Sequence, residues 1–307
     1  MILSWVLRDS IDSRGGIQGY ALQKDSVTFQ FGISQSGFNY GFEDFRILEN
    51  NQILVDTGGI RIQNFVVASQ GKTLRINGNI SDNPNEILRI NLRGVGMGVI
   101  NYLVGYDKAQ FEGEIEGDVI LTELLGTPKF AADVRIDSLV MNNNYMGRLR
   151  VGSDWSVKED TVHVDASMQL GEVTTLHGRG FYQPDSVGKI DFDLNLEQFR
   201  LMPFNPMFEG LAENLRGAVS GELQVEGNLG QPVVTGELNL PKTAFTVSFL
   251  QTDYNMVGAP VVYFRPGQIV FPSLTLRDTE YGSEGELIGE IKHDGFRDFE
   301  LDMKVSA

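Results

Sequence analysis

The sequence alternates apolar and polar residues with a period of two over much of its length. The clearest run reads Lys-Ile-Asp-Phe-Asp-Leu-Asn-Leu over residues 189–196. Successive side chains of a β-strand point to opposite faces, so this pattern predicts strands with one buried apolar face. Four further runs show the same alternation, at residues 130–136, 162–170, 219–225 and 299–305.

Turn-forming residues separate these runs, as at residues 81–85, 142–144 and 185–188. Short strands joined by frequent turns predict an all-β protein. The expected fold is a long curled antiparallel β-sheet, a trough or taco-like β-solenoid, with one or two short helices. The stronger helix signal has Asn205 as N-cap and Pro206 as the first helical residue, and the weaker one runs from about residue 97 to residue 104.

A repeat of about 104 residues organises the chain. Gly113, Gly117 and the phrase Gly126-x-Pro128 all recur 104 positions later, and a partial third copy follows near the C-terminus. The repeat predicts an N-terminal β segment at 1–49 that fits it poorly, a partial repeat module at 50–110, a repeat module at 111–214 and a truncated C-terminal module at 215–307. The last residues still read as strand, which predicts a piece of a longer protein.

Composition disfavours several classes of function. The 307 residues include 25 Lys and Arg against 41 Asp and Glu, which gives a formal net charge of −16. Binding to nucleic acid needs clustered basic residues, so nucleic acid is not an expected partner. The same acidity disfavours electrostatic docking on an anionic membrane. Because the chain has no cysteine, disulfides, thiolate metal sites and cysteine nucleophiles are excluded.

The sequence predicts no enzyme, no cofactor and no metal site. None of the three histidines belongs to an HExxH-type ligand pair. His163 and Asp165 share one face of a predicted strand, and an exposed polar face explains them more simply than a metal. The glycines after Arg93 miss the spacing of a dinucleotide fingerprint, because Val99 stands where the third glycine belongs.

The predicted sheet has more apolar surface than two short helices could cover. Three outcomes remain: the sheet folds on itself, packs on another chain, or holds apolar ligands. Acyl chains suit the last outcome because they need only continuous apolar surface, and each buried CH₂ contributes about 0.8 kcal/mol. Plain core packing is the alternative for the same residues. The side chains predicted to line a lipid groove are Phe130, Val134, Ile136, Val162, Val164, Met168, Phe192, Leu194, Leu196, Val219, Leu223, Val225, Phe299, Leu301 and Met303.

Several phrases of the sequence resemble the TamB family of AsmA-like envelope proteins, and the resemblance covers about residues 50–307. The repeated glycine phrase carries the first part of the match, and three C-terminal phrases carry the second. These are Gly113/Gly117…Gly126-x-Pro128, its copy Gly217/Gly221…Gly230-x-Pro232, Phe249-Leu250-Gln-Thr252-Asp-Tyr254, Gly289-Glu-Ile-Lys-His293 and Phe296-Arg-Asp-Phe299-Glu-Leu-Asp302.

The resemblance implies a periplasmic protein that is anchored in the inner membrane and conducts phospholipids to the outer membrane along an apolar β-trough. It also implies a partner among the outer-membrane barrel assembly proteins. The sequence has no run of about 20 apolar residues, so the anchor is expected in a part of the full-length protein outside this chain.

Two other functions remain open. One is a scaffold or chaperone that presents sheet edges to outer-membrane strands by β-augmentation. The other is a carbohydrate-binding or adhesin-like protein. The presence of only two tryptophans disfavours this last function.

Overall fold

The computed structural model describes residues 2–7, 13–34, 36–40, 43–98, 101, 108–156, 159–184, 188–210, 212–248 and 250–306. Over these residues the protein is all-β, and its strands belong to one long antiparallel sheet. The predicted fold class is therefore confirmed. No helix within the described part of the chain has the length and apolar character needed to cross a membrane.

The chain divides into two compact units. Unit 1 comprises Met1–Gly96, Glu114–Ile136 and Gly152–Val157, and unit 2 comprises Met97–Gly113, Asp137–Val151 and Lys158–Ala307. The strands of unit 1 are β1 (Ile2–Leu7), β2 (Ser13–Gln23), β3 (Phe29–Ile33), β4 (Ser36–Tyr40), β5 (Glu43–Ile47), β6 (Gln52–Asp56), β7 (Gly59–Ser69), β8 (Lys72–Ile80), β9 (Ile87–Gly96) and β11 (Glu114–Thr122). The short strand β10 (Phe111–Glu112) precedes β11 in the chain but belongs to unit 2. The next two strands, β12 (Lys129–Met141) and β13 (Asn144–Ser156), contribute residues to both units.

The remaining strands belong to unit 2. They are β14 (Thr161–Leu170), β15 (Val173–Gln183), β16 (Lys189–Arg200), β17 (Ala212–Arg216), β18 (Ala218–Asn228), β19 (Gln231–Asn239), β20 (Ala244–Val247), β21 (Thr252–Met256), β22 (Val261–Arg265), β23 (Gln268–Asp278), β24 (Glu284–Asp294) and β25 (Arg297–Ser306). The five alternating runs of the sequence fall inside β12, β14, β16, β18 and β25. Period-two patterning therefore predicted strands correctly at each of these places.

The short helix differs from its prediction in type and starting point. A 3-10 helix covers Met202–Phe208, with Leu201 as its N-cap. A proline in the first turn is indeed the start signal, but Pro203 supplies it, and Pro206 lies inside the helix. Asn205 does not cap the helix. Its amide instead bonds to the backbone of Leu215, which belongs to β17.

The weaker helix prediction is only partly within the described residues. Gly98 and Asn101 are helical, and the Asn101 N–H donates to the Met97 carbonyl at 3.1 Å. Residues 99, 100 and 102–104 lie outside the described residues.

Hydrogen bonds repeat at the 104-residue offset found in the sequence. The Met97 N–H donates to the Gly113 carbonyl at 3.0 Å, and the Leu201 N–H donates to the Gly217 carbonyl at 3.1 Å. The amide of Asn101 bonds to both backbone groups of Phe111, just as the amide of Asn205 bonds to those of Leu215. The two copies of the phrase thus share backbone geometry as well as residue types.

Candidate functional site

The candidate site is the apolar face of the sheet in unit 2. Residues directly opposite one another on antiparallel strands lie on the same face, so the strand register shows which side chains share it. One row crosses β14, β15, β16, β18 and β19 through Val164, Gly180, Phe192, Val225 and Val234. The next row along the strands passes through Ala166, Gly178, Leu194, Leu223 and Gly236. We call these two rows the central band.

The second row of the central band extends beyond β19. Gly236 lies opposite Phe264 of β22, and the same register continues through Ile269 and Ile291 to Leu301 of β25. The row therefore crosses every strand from β14 to β16, then β18, β19 and β22 to β25. Neighbouring strands lie about 4.8 Å apart, so eight intervals give the row a length of roughly 38 Å.

Several side chains on each flank of the central band are buried, whereas the band itself is half-open from β14 to β19. On one flank, Val162 and Ile190 are 0% and 5% exposed. On the other, Met168, Leu196 and Leu238 are 7%, 9% and 9% exposed. From β14 to β19 the side chains of the central band are half-buried, whereas in its extension Ile291 is 7% exposed and Leu301 is 46% exposed. An apolar strip between two packed margins is thus accessible from outside.

The helix and its flanking residues close one margin of this face. Leu196, Val219 and Leu238 form a buried cluster, against which Phe199 and Leu201 pack just before the 3-10 helix. Phe204 of the helix lies with its ring centroid 5.9 Å from that of Phe199. The chain therefore brings apolar side chains to the ends of β16, β18 and β19. This explains why the flank formed by Leu196 and Leu238 is more buried than the central band.

Glycine makes room for the large side chains of the central band. A Cβ on Gly178 would lie 2.9 Å from Cδ2 of Leu194, the residue directly opposite on β16. Leu194 thus lies over the space that Gly178 leaves empty. Sequence reasoning missed Gly178, Gly180 and Gly236 as members of this face. The period-two spacing of Gly178 and Gly180 was the signal that could have identified them.

Unit 1 carries an apolar face of the same kind. One row runs through Ile76, Ile90, Val119 and Ala132, and the next through Leu74, Leu92, Gly117 and Val134. These side chains are half-buried. The flanking residues Leu88, Ile115 and Ile136 are buried. Both units therefore have a half-open middle with buried side chains beside it, although Phe130 on one flank of unit 1 is also half-buried.

The predicted groove residues fall into three environments. Those in half-open positions are Phe130 and Val134 in unit 1, and Val164, Phe192, Leu194, Leu223, Val225 and Met303 in unit 2. Those that are buried are Ile136, Val162, Met168, Leu196 and Val219. Phe299 and Leu301 of β25 are 42% and 46% exposed. In unit 2, the register joins the members on β14, β16, β18 and β25 into one face.

The opposite face of unit 2 is charged and exposed. Nε of Arg179 donates to Asp165 at 2.7 Å, and this hydrogen bond lowers the pKa of the Asp165 carboxyl. Nε2 of His177 lies 3.5 Å from the same carboxylate, and that of His163 lies 2.9 Å from Glu159. The described residues contain no group of three or more acidic or histidine side chains able to hold a metal ion. Water solvates this face while the apolar face lies on the other side of the sheet.

Comparison with known proteins bears on a defined part of the chain. No curated protein and no solved structure matches this chain. The family comparison gives a match across β14 to β23, the region that contains the central band. The resemblance inferred from the glycine and C-terminal phrases is thereby confirmed for this region: residues 164–280 match the model of the TamB C-terminal domain family.

Proposed function

We propose that this chain carries phospholipid acyl chains along its apolar face, as a periplasmic segment of a TamB/AsmA-like protein that links the inner and outer membranes. The half-open central band is the observation that supports this proposal most strongly. A face that served only as a core would be expected to bury its middle at least as well as its margins. Here buried side chains occur on both margins, whereas the side chains of the two middle rows from β14 to β19 are half-buried.

The chemistry of the central band suits hydrocarbon. Its members are aliphatic side chains, the two phenylalanines Phe192 and Phe264, and glycines, so an acyl chain meets no unpaired polar side chain there. Removing each CH₂ from water contributes about 0.8 kcal/mol, which gives useful affinity without a closed pocket. Because the side chains along the row are all apolar, a lipid can shift from strand to strand with little change in free energy. The proposed role is collective contact, with no catalytic step.

Photo-crosslinking at adjacent residues tests the proposal. A benzophenone side chain in place of Leu194 lies on the central band, whereas one in place of Asp193 lies on the exposed charged face. The full chain is incubated with vesicles that contain labelled phospholipid and is then irradiated. We expect lipid adducts at position 194 and few at position 193. Equal labelling at the two positions would contradict the proposal.

Substitution at the same site separates contact from transport. We expect Leu194→Ala to change lipid transfer between vesicles very little, because many side chains share the contact. Leu194→Arg places a charge in the hydrocarbon path, and desolvating it is costly. We therefore expect Leu194→Arg to abolish transfer. If the arginine variant transfers lipid as fast as the alanine variant, the path does not run over Leu194.

The exposed side chains of β25 favour a second candidate function, β-augmentation of outer-membrane protein strands. Within the described residues β25 pairs with β24, and its Phe299, Leu301 and Val305 are 42%, 46% and 66% exposed. An incoming strand would bond to the backbone of β25 and cover these side chains. Proline substitutions in β25 would then abolish binding of such a strand, whereas arginine in the central band would not. The lipid proposal predicts the reverse sensitivity.

A further inference from the structure

The turn between β24 and β25 places a bulky residue in a backbone conformation that usually belongs to glycine. Two residues, Gly295 and Phe296, join the strands, and their φ angles are 54° and 62°. Two positive φ angles in succession are typical of a type I′ hairpin turn, whose central positions favour Asn, Asp and Gly. A bulky residue with positive φ is an outlier, so Phe296 needs other contacts to stabilise it there.

His293 supplies these contacts. The Phe296 N–H donates to Nδ1 of His293 at 3.2 Å. The rings of the two residues are stacked with centroids 4.3 Å apart, and the ring of Phe299 lies edge-on to the imidazole at 6.0 Å. The His293 N–H donates to the carbonyl of Gly267 at 3.0 Å, which fixes the histidine backbone to the turn between β22 and β23. The imidazole therefore contacts Phe296 through both its backbone and its ring.

The hydrogen bond to Phe296 requires a neutral imidazole. A neutral imidazole has one nitrogen that donates and one that accepts, whereas both nitrogens of a protonated imidazole donate. Because Nδ1 of His293 accepts here, the proton of the neutral ring is on Nε2. A second proton would place an N–H at Nδ1 against the N–H of Phe296, and the bond would be lost. Histidine is the side chain whose charge ordinarily changes near neutral pH.

The charged groups around His293 act on it in a defined way. Burial lowers the pKa of His293, and the carboxylate of Asp294, the next residue, partly offsets this. Asp298 of β25 is exposed. On the opposite face of β22, β24 and β25, the register gives one row of charged residues that consists of Arg265, Lys292 and Glu300. Phenyl rings, not charged groups, are therefore the side chains that pack on the imidazole.

We propose that His293 is a pH-sensitive switch in the turn between β24 and β25: the neutral imidazole holds Phe296 in the turn, and protonation releases it. Phe299 lies two residues from Leu301 and on the same face of β25, and Leu301 belongs to the row that extends the central band. Protonation consequently loosens the aromatic side chains at this end of the apolar face. The proposal rests on the hydrogen bond and the stacked rings, and it holds whether or not the face carries lipid.

A second hairpin of the chain contains the same hydrogen bond with an acceptor that does not titrate. In the turn between β18 and β19, Oδ1 of Asn228 accepts the N–H of Gln231 at 2.8 Å. The acceptor and donor are three residues apart in both turns. Asparagine at position 293 should therefore keep the bond to Phe296 at every pH, and the Gln231 amide provides an internal control.

Hydrogen exchange of the full chain, followed by NMR from about pH 7.5 to about pH 5.0, tests the proposal. The protection factor of the Phe296 amide is the quantity compared, because it removes the intrinsic pH dependence of exchange. We expect this factor to be constant above neutral pH and to fall below pH 6.5 by up to about tenfold per pH unit, the limit for coupling to one proton. The protection factor of Gln231 should not change.

Two substitutions at position 293 separate the switch from general loosening in acid. His293→Asn places an oxygen at the position of Nδ1, so Phe296 should stay protected throughout the pH range. His293→Gln places its amide farther out, near the position of Nε2, so Phe296 should lose protection even at about pH 7.5. The proposal is overturned if Phe296 in the unsubstituted chain is equally protected at both ends of the range. It is also overturned if His293→Asn loses protection in acid as the unsubstituted chain does, or if His293→Gln keeps full protection.

Discussion

One methyl group added at Gly117 should disturb the packing of two neighbouring strands and lower the stability of the fold. It lies on β11 with φ of 141° and faces Val134 of β12. A Cβ built on Gly117 would lie 2.0 Å from the carbonyl oxygen of Asp133, whereas ordinary contacts begin near 3.4 Å. The substitution Gly117→Ala therefore requires a backbone carbonyl to move, since the obstacle is not a flexible side chain.

The cost of Gly117→Ala has two parts. A φ of this kind is essentially restricted to glycine and costs a residue with a Cβ about 1–3 kcal/mol. Relieving the overlap then displaces β12 from β11 by more than an ångström, and overpacking of this kind typically costs a further ~1–3 kcal/mol. We expect the free energy of unfolding to fall by at least about 3 kcal/mol when the two parts combine.

Two other glycines separate these contributions. Gly171, in the turn after β14, has φ of 63° and nothing within 4 Å of a built Cβ, so Gly171→Ala should show the backbone cost alone, about 1 kcal/mol. Gly96 also has nothing within 4 Å, and it has no positive φ. Gly96→Ala should be neutral or slightly stabilising, because alanine restricts the unfolded chain.

Urea unfolding monitored by circular dichroism measures all three variants against the unsubstituted chain. The expected order of destabilisation is Gly117→Ala, then Gly171→Ala, then Gly96→Ala. If Gly117→Ala costs no more than Gly171→Ala, the strands accommodate the methyl group, and the argument from close backbone approach is wrong.

Three further predictions follow from burial and from charge. Val219 is 2% exposed, so Val219→Ala should lower the free energy of unfolding by about 2 kcal/mol. Val225 lies half-buried on the same strand and face, and Val225→Ala should cost less than half of that. Equal losses of unfolding free energy for the two variants in urea would contradict the half-open band. The hydrogen bonds from Arg216 lower the pKa of Asp253 in the folded protein below 3.8. The stability that these bonds contribute is therefore present above pH 3.8 and is lost as the pH falls through the lowered pKa of the folded state. Asp253→Asn should flatten this acid dependence of the thermal midpoint. Burial lowers the pKa of His293 below 6.5, so stability should fall as the pH drops from 6.5 toward the folded value, and His293→Asn should remove that part of the pH profile.

Local backbone geometry explains why so much of the fold was predictable from sequence. The alternation at residues 189–196 places Phe192 and Leu194 on one face wherever β16 lies in the sheet, because the two-residue period belongs to the strand itself. The charged members of the same run, Asp191 and Asp193, necessarily point the other way. Strand positions and faces were therefore predictable before any tertiary contact was known.

Other features needed contacts between residues distant in sequence. Asn205 resembled a helix N-cap in its local context, but Leu215 competes for its amide, and Pro203 starts the helix earlier. The carboxylate of Asp253 binds a guanidinium 37 residues away, that of Arg216, and no local pattern encodes this separation. Only the folded backbone brings these groups together.

The sequence by itself determined that the chain forms strands with one apolar and one charged face, because side-chain direction along a strand is a property of each short segment. Tertiary structure alone decided which apolar side chains are buried away from solvent. Val162 and Val164 are two residues apart, identical in type and on the same face, yet the first is fully buried and the second is half-open. Exposure depends on what neighbouring strands place around a side chain, and that information is spread over the whole sheet.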